Sequence, residues 1–149
     1  MTDTKNAEST LDLTLASLAL RVYIGLQLLL VGLDKFMADG KFGGLTAYKA
    51  NMLRIADGIS GGSIIPAWMT KPYAFVLPWV LLLCGITILA GIKNRLFLLI
   101  AAFTYTSLSI GLAMVREEEG VFRLGLYVGL TAFALCLNKY NRFALLKDK

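Results

Sequence analysis

Arg21, Gly25, Gly32 and Lys35 are the residues of this sequence whose types and spacing could do chemistry together. At about 100° per residue on a helix, the two glycines and the lysine fall within about 40° of the arginine around the axis, so all four share one face. A guanidinium and an ammonium donate hydrogen bonds to an anion or a carbonyl oxygen. Glycines, having no side chain, let a ligand or a second helix approach the backbone. Tyr105 adds a phenol in a later apolar segment, beside the small-residue series Thr104, Ser107 and Gly111. It can serve helix packing or the same kind of ligand.

The stretch that holds Arg21 is otherwise oily, and a charge inside an apolar span must be matched by something. The acidic residues number ten, and each lies outside the apolar blocks, at positions 3, 8, 12, 34, 39, 57, 117, 118, 119 and 148. Gln27 and Asp34 are rotated away from the arginine's face. Four partners therefore remain open for Arg21: headgroups reached by snorkelling, exposed backbone carbonyls, an anionic or quinone-like ligand, or a carboxylate on another subunit.

The elements that must position these residues are membrane-spanning helices. The chain has 149 residues, 57% hydrophobic and 17% charged, against about 25% charged in an average soluble domain. Residues 73–92 and 96–115 are uninterrupted apolar blocks. At about 1.5 Å per residue each covers roughly 30 Å, the thickness of a bilayer core. Residues 13–33 and 121–137 complete a set of four spans. The expected fold is an all-α integral membrane four-helix bundle, a single domain, with a long first connection over residues 34–72.

That connection places Leu45, Tyr48, Met52 and Ile55 at spacings of 3, 4 and 3, which predicts a short amphipathic helix over residues 45–56 lying on the membrane surface. Gly58, Gly61 and Gly62 are expected to end it, and Trp68 and Tyr73 to anchor the return at the interface. Such a segment acts either as a lid packed across the bundle or as a ligand gate. The first segment follows an acidic leader, exceeds a signal peptide's apolar core and lacks a small-residue cleavage site, so it is expected to be a retained helix. Lys and Arg divide evenly between the two sides. The short basic turn at 93–95 and the basic tail favour cytoplasmic termini.

In the fourth span Gly125, Gly129, Ala132 and Cys136 follow spacings of 4, 3 and 4, a small-residue stripe that predicts helix packing. Cys84 and Cys136 lie at different depths and are read as small packing residues, not a disulfide. The chain has no histidine and no carboxylate inside a span, which removes the usual haem, zinc, copper and di-iron ligand sets. No metal and no cofactor is expected on this chain alone. The net charge of +5 suits anionic headgroups, and nothing in the pattern calls for nucleic acid.

The order Arg21, Gly25, Gly32 and Lys35, then FGGLTAY, then PWVLLLCGITILAGIKNR, an apolar third span and the tail NKYNRFALLKD resembles the DoxX family of small four-helix membrane proteins. That family is similar to DoxD, the small membrane subunit of a thiosulfate:quinone oxidoreductase. The resemblance covers about residues 15–147. Family members often carry a glutamate early in the second helix, where this chain has Leu81. The resemblance implies an accessory subunit of a quinone-linked redox complex in a bacterial inner membrane, not catalytic alone, in which Arg21 and Lys35 bind a quinone and Gly25 and Gly32 make room. The alternative is a structural membrane protein that binds lipid or stabilises a larger membrane complex.

Overall fold

The computed structural model describes residues 2–38 and 40–138, with side chains from residue 11 onward. The basic tail, which carries part of the charge asymmetry and of the resemblance, lies outside the described residues, as does Asp39. Among the described residues the chain forms α1 (Thr2–Asp34), a hairpin of β1 (Met37–Ala38) and β2 (Lys41–Phe42), α2 (Gly44–Gly62), α3 (Ala67–Ala90), α4 (Asn94–Met114) and α5 (Glu118–Leu137). Four segments are long and apolar enough to cross a membrane: Leu11–Asp34, Ala67–Ala90, Asn94–Met114 and Glu118–Leu137. Large apolar side chains such as Leu30, Phe103 and Phe133 point outward, as the lipid-facing side of a spanning bundle requires. The chain is an all-α integral membrane bundle.

α1 packs on α3, α3 on α4, α4 on α5 and α5 back on α1, so the four spans close a ring. Its core joins Leu28 of α1, Leu81 and Ile88 of α3, Leu98 and Tyr105 of α4 and Ala134 of α5. The tightest seam is α1 against α3. A Cβ added at Gly25 would lie 3.3 Å from Gly85 O, and one added at Gly85 would lie 3.0 Å from Gly25 O. The missing side chains are therefore what allows the two backbones to meet.

α3 starts at Ala67, earlier than the apolar block at 73–92, and takes Trp68 and Tyr73 into the helix. Lys71 had interrupted the apolar run, but it sits on the exposed outer turn, where its ammonium can stay in water. Pro66 caps the start, Met69 and Thr70 donate to its carbonyl, and Pro72 and Pro78 are held inside the helix. Such prolines are tolerated in spans where neighbouring groups satisfy the freed carbonyls.

α2 differs from expectation in length and in the surface it covers. It runs through Gly58 and Gly61 to Gly62. A glycine inside a helix costs only about 1 kcal/mol, and what stops α2 is extended Ser63, whose hydroxyl accepts from Ile65 N–H and donates to Ile59 O. Its buried residues are Ala47, Tyr48, Met52 and Ala56. Tyr48, Met52 and Ala56 pack with Phe36 and with Ala74, Phe75 and Leu82 of α3, not flat on a membrane surface. Leu45, expected in that stripe, is exposed. The hairpin between α1 and α2 pairs Met37 with Phe42 and Ala38 with Lys41, and Gly40 supplies the positive φ that its turn needs.

Candidate functional site

Arg21 belongs to the face of α1 formed by Thr14, Ser17, Arg21, Ile24, Gly25, Leu28 and Gly32, all buried. It is only 8% exposed. Its Nη2 donates to Leu89 O over a long 3.4 Å. Leu89 lies in the last turn of α3, where carbonyls have no intrahelical partner and the helix dipole is negative. Gly91 closes α3 in the left-handed conformation, its N–H donating to Ile88 O, while Ile92 N–H donates to Thr87 O. The backbone cap thus takes Thr87 and Ile88, and Arg21 serves Leu89. Of the four partners left open by the sequence, an exposed carbonyl is in place among the described residues.

The glycines face leucines of α3, not an open space. A Cβ on Gly25 would meet Leu89 Cγ at 2.6 Å, and one on Gly32 would meet Leu82 Cγ at 2.9 Å. The space above each glycine is already filled by a leucine from α3. Sharing a face also does not make Arg21 and Lys35 one site, because 14 residues separate them by roughly 21 Å along α1. Lys35 instead ion-pairs with Asp34 at 3.3 Å. Leu81, which stands where the family's glutamate is expected, is a core residue and lies eight residues, about 12 Å of helix, from Leu89.

Tyr105 is 3% exposed and sits in the core, its ring 5.4 Å from that of Tyr127. Tyr127 opens a polar seam that the spacing argument missed. Gln27 Nε2 of α1 donates to Tyr127 Oη of α5 at 2.9 Å, and Tyr23 interacts with the same hydroxyl. Tyr23 is 47% exposed on the outside of the bundle, so the seam reaches the lipid-facing surface. A depth match could have revealed it: Gln27 and Tyr127 stand roughly 10 and 14 Å from the outer ends of their helices, and an amide at that depth requires a partner.

The small-residue stripe of α5 does not pack against the other spans among the described residues. Gly125, Gly129, Ala132 and Cys136 all face outward, and a Cβ added at Gly125 or Gly129 would meet nothing within 4 Å. α5 packs inward through Thr131, Ala134 and Leu137 instead. Cys84 is buried in the core, whereas Cys136 is exposed, and both are free thiols. Gly125 and Gly129 lie two residues from Tyr127, about 200° around the axis, so the face of α5 that meets Gln27 leaves the stripe on the opposite side.

The end of the bundle where α1 meets α2 is built from aromatics. Phe36 stacks on Tyr48 with centroids 4.8 Å apart, and Trp79 meets Phe36 edge-on at 5.5 Å. Tyr48 Oη accepts from Trp79 Nε1 at 3.1 Å and donates to Phe75 O. Pro78 lacks an N–H, so the Ala74 carbonyl one turn earlier loses its helical donor, and the Phe75 carbonyl beside it accepts the Tyr48 phenol. α2 is thereby fastened to α3 by both packing and polar contacts.

Set against protein-family models, curated proteins and solved structures, the chain matches none.

Proposed function

We infer that the chain is an accessory membrane subunit of a quinone-linked redox complex, not catalytic by itself, seated in a bacterial inner membrane with both termini cytoplasmic. The observation that carries the docking role is the bare outer face of α5, where Gly125 and Gly129 present uncovered backbone. Without a hydrophobic drive between helices in lipid, such small-residue faces are where spans associate closely. The redox setting rests on the resemblance of residues 15–147 to the DoxX family. Because leucines fill the space over Gly25 and Gly32, the quinone contact in this reading belongs to Tyr23, Gln27 and Tyr127, whose phenol and amide groups can hydrogen-bond a carbonyl oxygen from the lipid side.

A second reading is favoured by the contact between Arg21 and Leu89 O: the intramembrane cation is a structural brace, and the chain is a non-catalytic protein that stabilises a larger complex or binds lipid. Gentle extraction of the tagged chain, with mass-spectrometric identification and absorbance spectra of what copurifies, separates the two. A haem or flavin protein in fixed ratio, lost from Gly129→Leu, supports the accessory subunit. A colourless chain carrying only lipid overturns it in favour of the second reading.

A further inference from the structure

At the outer end of α1 a cavity of about 340 Å³ is lined by Asp34, Lys35, Met37, Ala38, Asn51, Arg54 and Ile55. That volume lies at the small end of ligand pockets, roughly 300–1,000 Å³. Three elements wall it: the end of α1, strand β1 and one face of α2. Asn51 fixes them together, its Nδ2 donating to Lys35 O at 3.2 Å and to Met37 O at 2.9 Å. Behind the cavity Ile55 packs into the aromatic cluster of Phe36 and Tyr48, so the walls stand on a rigid support.

The charges of the lining are unequal. Lys35 is held by Asp34 at 3.3 Å, whereas Arg54 is exposed and makes no ion pair or hydrogen bond among the described residues. One cation is thus neutralised and one guanidinium fork is left for a ligand. The cavity opens where the span Leu11–Asp34 ends, at the depth of lipid headgroups.

We propose that this cavity is a binding site for a phosphate-type oxyanion, held by the Arg54 guanidinium, with the Lys35–Asp34 pair at its rim. Guanidinium pairs bidentately with phosphate oxygens, which a lysine as a point charge does not reproduce. The oxyanion comes either from the headgroup of an anionic phospholipid or from soluble phosphate. The site is independent of the quinone reading and of the partner face on α5.

The full chain in phosphatidylcholine nanodiscs is compared with the same chain in nanodiscs containing phosphatidylglycerol, and with the phosphatidylcholine sample titrated with inorganic phosphate. Thermal unfolding and native mass spectrometry provide the readouts. Phosphatidylglycerol should raise the midpoint and remain bound, with Arg54→Gln weakening retention about tenfold and Arg54→Lys recovering only part of it. A rise with inorganic phosphate that Arg54→Gln abolishes supports the same site with a soluble source. Because Arg54 is exposed, the variant keeps the fold, which an unchanged helical spectrum checks. Equal gains in the wild type and Arg54→Gln, or no gain from either anion, overturn the proposal.

Discussion

Helical spacing puts Arg21 and Lys35 on one face, but Arg21 lies within α1 and Lys35 in the turn just past its end at Asp34, and their surroundings have nothing in common. Around Arg21 the seam is filled: leucines from α3 cover both glycines, and the guanidinium reaches the last turn of a neighbouring helix. Around Lys35 the chain leaves the span, turns through a hairpin and encloses a polar cavity beside Arg54. The same class of charge is a brace at one end and part of an open surface at the other. What separates them is whether a second helix closes over the cation, not its position on the helical wheel.

Reversing the buried charge tests the comparison most severely. Arg21→Glu places a carboxylate against the negative end of α3, and the expected loss is about 3–5 kcal/mol, in the range for breaking a buried charge pairing. Chemical unfolding in detergent should show it as a much lower midpoint and a poor membrane yield. A variant that unfolds normally yet fails in electron transfer to quinone would place Arg21 in ligand binding and dissolve the contrast between the two ends.

Gly25→Leu attacks the same seam through volume. With a Cβ 2.6 Å from Leu89 Cγ, overpacking should cost about 1–3 kcal/mol. Adding Leu89→Ala should return part of that loss, as a double-mutant cycle between touching residues predicts. Full additivity would mean that the two helices do not meet there.

At the outer end the expected effect is smaller. Tyr48→Phe keeps the stack on Phe36 but removes the hydrogen bonds to Trp79 and Phe75. The cost should be about 1–2 kcal/mol, with Trp79 emission shifting as its N–H loses its partner. The least effect on stability is expected from Gly129→Leu, within about 0.5 kcal/mol, because among the described residues nothing touches that position. The same substitution should strip copurifying partners. A stability loss as large as that of Gly25→Leu would mean that the stripe of α5 packs within the chain after all.

Four spans were legible because long charge-free blocks admit few other folds at this hydrophobicity. The face shared by Arg21, Gly25 and Gly32 was legible too, since helical periodicity depends on residue number alone. What that face touches depends on the antiparallel register of α1 on α3, and registers between spans leave no mark in a local pattern. Which way α5's stripe faces was not legible for a related reason. In a uniformly apolar helix no polar side marks which face is inward, so Gly125 and Gly129 could point either way. The hairpin at 37–42 escaped notice because strands of two residues are too short to show alternation.

The sequence alone therefore determined the membrane class, the number of spans and the presence of an intramembrane cation beside glycines, because hydropathy and period are properties of the chain read in order. Only the tertiary structure decided that Arg21 ends on Leu89 O, that leucines occupy the glycine notches, that Gln27 finds Tyr127, and that Arg54 joins Lys35 across a cavity. Each of these joins residues far apart in sequence, and their meeting is set by how helices seat against one another, which close packing of whole side chains determines.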